Sequence, residues 1–281
     1  MKDVVALAAL LATPLGAAEL PAREPLPIEV RYIGGPTVTI TLAGVTFIVD
    51  PTFDAAGREY PLGAVTLRKQ RGPAIGVDEL GRIDVALVSH DQHPDNLDDA
   101  GRALLGRVPR VLTTISGAHR LGSGAIGLAP WQSAAVPGRD GVTLRVTATP
   151  ARHGPAGIER IVGDVVGFVI TEVGAEQDSV YITGDTVWYE GTAEVARRFN
   201  PRVVLLFGGA ASTRGPFHLT MDTNDAVETA VAFKDATIVP VHHDGWAHFK
   251  QTQQDIANTF EALGLRDRLH LVEAGRALTI R

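Results

Sequence analysis

Residues 89–98, SHDQHPDNLD, place two histidines, three aspartates, a glutamine and an asparagine directly behind the apolar run IDVALV. A polar turn needs hydrophilic side chains, but it does not need imidazole and carboxylate at spacings of two and three. Two readings compete. Asp95, Asn96 and Asp98 suit the cap of a helix, because short polar side chains accept the free N–H groups of a first turn. Equally, His90, His93 and Asp95 offer nitrogen and oxygen donors to a divalent metal ion. Three further clusters also follow apolar runs: His153 in TATPARHGP, Asp185 in YITGDT, and His242 with His243 in IVPVHHDGW. Singly, each has an ordinary explanation, since Gly-Asp is a common turn and a loop histidine is commonly just hydrogen-bonded. Jointly, each at the end of an apolar run, they point to metal chemistry. The chain has no cysteine. Thiolate ligands, disulfides and a thiol nucleophile are therefore excluded, and any transition metal must be held by His, Asp or Glu.

The elements that would position these residues are legible as periodic runs. IEVRYI, TVTITL and VTFIVD are short β-branched segments separated by GGP and AG, which predicts an antiparallel meander. Residues 51–82 are punctuated by Gly and Pro and read as a long loop. IDVALVS predicts a buried strand and NLDDAGRALLG a capped helix. RVLTTI, VTLRVTAT, VVGFVIT and SVYITGD read as further strands. From residue 190 helices alternate with strands: GTAEVARRF, RVVLLF, DAVETAVAF, ATIVPVH and QDIANTFEALG. In DAVETAVAF, the spacing of Ala226, Val227, Ala230 and Val231 predicts one apolar face. The expected architecture is α/β, two mixed sheets with helices outside, forming one domain over residues 26–281.

Composition narrows the function. A chain of 281 residues with 45% hydrophobic and 21% charged residues is globular rather than disordered. Net charge is -6 with no basic run, which argues against nucleic acid as a partner. No segment approaches the roughly 18 apolar residues of a spanning helix. Residues 4–12 are uniformly apolar and are followed by Pro14 and GAA, as in a short signal peptide cut near Ala18, although Asp3 weakens the positive start. Residues 1–25 therefore read either as a leader, implying a periplasmic or secreted protein, or as a packed N-terminal helix of a cytoplasmic one.

With these motifs in order, the chain resembles the metallo-β-lactamase fold superfamily. Within it, the similarity is to the branch of ascorbate-6-phosphate lactonase-like proteins and N-acyl phosphatidylethanolamine phospholipase D. YIGGPTVTITLAGVTFIVDPTFD is similar to that branch's opening hairpin, ending in Asp50-Pro51. ALVSHDQHPDNLD stands where the family writes Ser-His-x-His-x-Asp-His-Leu-Asp, and TPARHGP, ITGDT and VPVHHDGWAHF stand at its later motifs. HLTMDTNDAVETA resembles the segment before the last of these. The resemblance runs from about residue 32 to residue 249. It implies a four-layer αββα sandwich and a metal-dependent hydrolase.

It further implies that His90, His93 (or Gln92) and His153 hold one ion, that Asp95 and His242 hold a second, and that Asp185 bridges them. Anchored on SH, the family's second histidine falls on Gln92; anchored on NLD, it falls on His93. Asn96 stands at the last histidine of the motif in either register. Amides are poor zinc ligands, so one site is expected to be weak, or the metal to be a harder ion such as Mn²⁺.

The implied reaction uses a metal-bound hydroxide on a small-molecule ester, lactone or phosphodiester, with Asp95 or Asp185 orienting it and taking its proton. One or two divalent ions are expected, zinc foremost. The alternative is a metal-binding or ligand-binding protein that keeps the fold with little turnover. His218 and His248 either line the pocket as proton donors or are plain loop histidines. Trp188, Tyr189 and Trp246 are either substrate walls or core. Adjacent strand-end residues face opposite ways, which leaves His243 outside the metal set. His119 and His270 read as structural. GGAASTRG lacks the Lys-Ser/Thr ending of a phosphate loop and reads as a glycine-rich turn. A cation such as Arg152 or Arg214 beside the pocket would favour phosphate.

Overall fold

A computed structural model of the protein describes residues 25–122 and 124–281, and the leader expected at residues 1–18 lies outside them. The meander comes first, as β1 (Ile28–Gly34), β2 (Thr37–Leu42) and β3 (Val45–Val49). A separate hairpin of β4 (Glu59–Leu62) and β5 (Val65–Arg68) follows. Then come β6 (Val85–Leu87), α1 (Asp99–Leu105), β7 (Val111–Thr113), α2 (Ile115–Leu121) and β8 (Ala125–Gly127). The second half holds β9 (Ser133–Pro137), β10 (Thr143–Pro150), α3 (Glu159–Val162), β11 (Val166–Glu172) and β12 (Asp178–Ile182). It continues with α4 (Glu190–Arg198), β13 (Pro201–Phe207), α5 (Thr223–Ala232), β14 (Thr237–Val241), α6 (Gln253–Ala262) and β15 (Ala277–Ile280).

One sheet runs β15-β1-β2-β3-β6-β7-β8 and the other β14-β13-β12-β11-β10-β9. The first has three antiparallel and three parallel pairings and the second three antiparallel and two parallel, so both are mixed. Three apolar cores separate four layers, and the strands supply them by alternation. Val45, Phe47 and Val49 of β3 and Val203, Leu205 and Phe207 of β13 fill the space between the sheets. Their neighbours point outward. Ile48 and Ala86 meet Leu104 and Leu105 of α1, while Val204 and Leu206 meet Ala226 and Ala230 of α5 and Ile256 and Phe260 of α6. This is the αββα sandwich.

Both β10 and β12 are antiparallel to β11 and so run the same way; β13 and β14 run parallel to β12. The carboxyl ends of these strands share one edge, and His153, Asp185 and His242 follow three of them. The sheets come close there. Val166 N–H donates to Ser89 O at 3.1 Å, and His242 N–H donates to Gly35 O at 2.7 Å. Gly184 sits in this seam at φ 63°, and a Cβ there would lie 2.7 Å from Val166 O. Only glycine fits both demands.

Three expectations change. The supposed loop over residues 51–82 contains the β4–β5 hairpin, because Pro61 and Gly63 break up a pattern that is nonetheless paired residue for residue. RVLTTI splits, with Thr114 capping α2 through its hydroxyl. Val231 is 65% exposed, and Thr229 takes its place on the buried face of α5.

Asp98 ties the site-bearing loops together. Its carboxylate accepts from Phe53 N (2.9 Å), Asp54 N (2.7 Å), Gly101 N (2.8 Å) and Lys69 Nζ (2.8 Å), with both side chains of the ion pair buried. Breaking a buried pair by removing one partner strands the other charge, at about 3–5 kcal/mol. Asp98→Ala is therefore expected to lower unfolding stability by about that amount in urea denaturation. Lys69→Met with Asp98→Leu together should recover the share due to the stranded lysine, with the three backbone N–H groups still unpaired; if the double variant is no more stable than Asp98→Ala, the stranded lysine is not the cause.

Candidate metal centre

Three imidazoles converge at the shared strand edge. His90 Nε2 lies 2.9 Å from His93 Nδ1, and His153 Nε2 lies 3.2 Å from the same atom. Their tautomers follow from what lies behind them. With Asp50 ionised, the Ser89 hydroxyl donates its one proton to Asp50 Oδ2 at 2.6 Å, and the 2.9 Å contact between Ser89 Oγ and His90 Nδ1 is then donated by the ring. His153 Nδ1 donates to Leu219 O at 2.8 Å, a carbonyl that can only accept. Both Nε2 lone pairs therefore face inward. Ligand nitrogens bound at 2.0–2.1 Å in a tetrahedron lie roughly 3.3 Å apart, close to what is seen. Asp185 Oδ2, buried and without a hydrogen bond, stands 3.5 Å from His153 Nε2 and 3.9 Å from His90 Nε2, where a fourth ligand belongs. The residues fit a divalent ion.

Burial and the neighbouring rings push His90 well below the ordinary histidine range, and burial carries His93 down to about 4. Both are neutral at pH 7, as a metal ligand must be. Burial alone would raise Asp185, but His242, His153 and His90 outweigh it and hold the carboxyl well below its usual range. Asp50, beneath Ser89, is pushed up to about 7 by burial, despite accepting from Ser89 N (2.6 Å) and Asn96 Nδ2 (3.1 Å).

A second set, Asp95, Asp185 and His242, adjoins the first. Here the His242 ring lies between two carboxylates, with Nδ1 3.0 Å from Asp185 Oδ1 and Nε2 3.7 Å from Asp95 Oδ2. Burial lowers its affinity for a proton, yet Asp185 and Asp95 prevail and carry it up to about 10. Asn96 turns its Nδ2 toward Asp185 Oδ1 (3.2 Å) as well as Asp50, so its N–H groups face the carboxylates. Asp50 (φ 38°) and His242 (φ 56°) both hold left-handed backbone at strand ends. Strain of this kind concentrates at functional sites.

The remaining candidates divide cleanly. His93, not Gln92, joins the cluster; Gln92 donates to Val162 O (3.2 Å) and Asp164 O (3.0 Å) instead. Asp91 is gripped by Arg120 and faces away. The capping reading holds for Asp98, the N-cap of α1, and not for Asp95 or Asn96. His218 is a correction: its ring turns to Asp225 (3.2 Å) and Asp222 (3.7 Å) at the start of α5 rather than toward the cluster. His248 does reach the site, its Nε2 2.9 Å from Asp95 Oδ2. His243 is buried against Tyr32, Trp188 packs on the α4–α6 side, and Tyr189 lies under Arg152. Trp246 is buried beneath Tyr60 and Lys69. His119 and His270 are exposed. No helix follows GGAASTRG directly, and its Ala211, Thr213 and Arg214 line the cleft. Sequence reasoning missed Ser89, Asp50 and the Leu219 carbonyl as orienting groups. Only Asp50 carried a signal, an acid closing an apolar strand.

Two outcomes are expected. Ser89→Ala removes the acceptor that fixes the His90 tautomer, so metal affinity measured against a competing chelator should fall about 10- to 100-fold; an unchanged affinity would mean that Ser89 orients nothing. The two sets should also respond oppositely to pH. Protons compete at His93 only near pH 4, so the first ion survives dialysis at pH 6. A second ion must displace the His242 proton, so its affinity rises as pH rises from 7 toward 10. Asn96→His should strengthen that second ion by about tenfold or more, and equal, pH-independent affinities would overturn this ranking.

Comparison with known proteins agrees with the fold. A UPF0173 metal-dependent hydrolase of Pelotomaculum thermopropionicum is 30% identical over 191 residues, 64% of this chain and 76% of that protein. The UPF0173 protein YddR of Bacillus subtilis (strain 168) is 22% identical over 261 residues, 90% of this chain and 100% of that one. Among solved structures, an isothiocyanate hydrolase from Delia radicum gut bacteria superposes with a TM-score of 0.75 at 24% identity, covering 89% of this chain and 98% of that chain. At that identity the likeness concerns the fold. The family model described as the beta-lactamase superfamily domain matches residues 46–243, which include every strand-end residue of the centre. The chain belongs to that superfamily.

Proposed function

We propose that the protein is a metal-dependent hydrolase of a small-molecule ester, lactone or phosphodiester, with the ion held by His90, His93, His153 and Asp185. Zinc is the first choice for three imidazoles and a carboxylate, and Mn²⁺ the second. The observation that carries the reading is the pair of inward lone pairs on His90 and His153, fixed from behind by Ser89 and Leu219. A divalent ion bound there supplies Lewis acidity and lowers the pKa of a water from near 16 to roughly 7. No cysteine or activated serine is needed.

The chain's own residues complete the chemistry. Asp95 is ionised at neutral pH, because His248 and His242 overcome the effect of burial. Its Oδ2 is taken by His248 (2.9 Å), while its Oδ1 is buried and free of hydrogen bonds. Oδ1 is thus the atom that accepts the proton of an attacking water, and His248 holds the carboxylate in orientation. Asp185 stays charged between the two sets and fixes the ring of His242.

A metal-binding protein with little turnover is the second reading. It is favoured by Asn96, whose amide stands among the carboxylates of the second set.

Asp185→Asn distinguishes these. Metal content by elemental analysis and hydrolysis of p-nitrophenyl acetate or bis-p-nitrophenyl phosphate should both fall by orders of magnitude, with circular dichroism unchanged. Retention of the metal with no hydrolysis in the wild type would support the second reading. Wild-type metal and activity in the variant would remove Asp185 from the centre.

A further inference from the structure

We infer that the cleft takes a substrate bearing an uncharged, apolar substituent, held between the inner face of the β4–β5 hairpin and the wall carrying α3; this rests on the hydrolase reading of the same site. In the hairpin, Tyr60 pairs with Leu67 and Leu62 with Val65. Directly opposed side chains share a face. Leu62, Val65 and Leu67 therefore form an apolar ladder, while Glu59, Pro61, Thr66 and Arg68 are exposed on the other face. The ladder belongs to none of the apolar cores among the described residues. It lines the cleft instead, with His93, Asp95 and His153.

Facing it is a small apolar cluster of Val162, Ala211 and Leu219. Ile161 of α3 extends this wall to the mouth of the cleft at 60% exposure. The space between is an open cleft continuous with solvent rather than an enclosed cavity. The apolar surface left open to a ligand is that of Leu62 and Val65 on one wall and Ile161 on the other, with Leu67, Val162, Ala211 and Leu219 buried behind it, and such surface gains free energy when a ligand excludes water from it.

Charge points the same way. Among the described residues, the one lysine or arginine lining the cleft is Arg214, exposed at its rim. Lys69 is spent on Asp98 at 2.8 Å, and Arg152 on Gly154 O (3.1 Å) and the Tyr189 ring (4.4 Å). The walls would hold a phosphate or sugar poorly and an alkyl or aryl group well. An ester or lactone with such a group is thus favoured over a phosphodiester.

The test uses straight-chain carboxylates of four to ten carbons, titrated calorimetrically into the protein as purified, alongside p-nitrophenyl esters of the same acids. Affinity should rise by up to about fourfold per methylene until the cleft fills. Leu62→Ala should flatten that slope and Leu62→Phe should shift the best length to shorter chains. Thr66→Ala, on the outer face, should keep the wild-type slope. A flat wild-type series, or a slope that Leu62→Ala and Leu62→Phe leave untouched, overturns the inference. A slope without hydrolysis of any ester upholds the apolar subsite and removes the ester reading. Hydrolysis without a slope does the reverse.

Discussion

A neutral imidazole has one N–H and one lone pair, and the lone pair can face a buried point only if the proton has somewhere else to go. That constraint organises this molecule. For His90 the proton goes to Ser89, which passes its own to Asp50 at the end of β3. For His153 it goes to the Leu219 carbonyl, brought in by the loop between β13 and α5. One acceptor belongs to the first sheet and the other to the second. The centre is therefore a joint property of both sheets, and it exists only while the two strand edges stay in register.

The packing that keeps them there is ordinary in kind. Alternating side chains build three cores around four layers, and the seam at the strand ends is closed by backbone bonds such as Val166 to Ser89 and His242 to Gly35. Gly184 permits the close approach. Asp98 then fixes the loop after β3, the start of α1 and Lys69 through one carboxylate. A shift in any of these would move the acceptors away from the rings before it moved the rings themselves.

Much of this was legible. The four polar clusters stood out because each ends an apolar strand, and strand ends are where a sheet presents side chains to a common edge. Three things were not legible, for separate reasons. The choice between Gln92 and His93 depends on which way a turn with one extra residue folds, and spacing does not encode that; the answer came from Val162 and Asp164, seventy residues away in sequence, which take up the glutamine. His218 looked well placed beside Leu219, but Asp222 and Asp225 at the start of α5 compete for its ring. The β4–β5 hairpin was hidden by Pro61 and Gly63, and by a ladder of only three aliphatic residues.

That hairpin has a consequence for how such a protein can change. Its inner side chains line the cleft yet contribute to no core, so their replacement is uncoupled from the interactions that hold the sandwich together. The histidines and their acceptors have no such freedom, since each ring is locked to the group that takes its proton. Selection can therefore remodel what enters the cleft while leaving the centre and the thermal tolerance of the fold where they were. Diversification among relatives should accumulate on this one ribbon first.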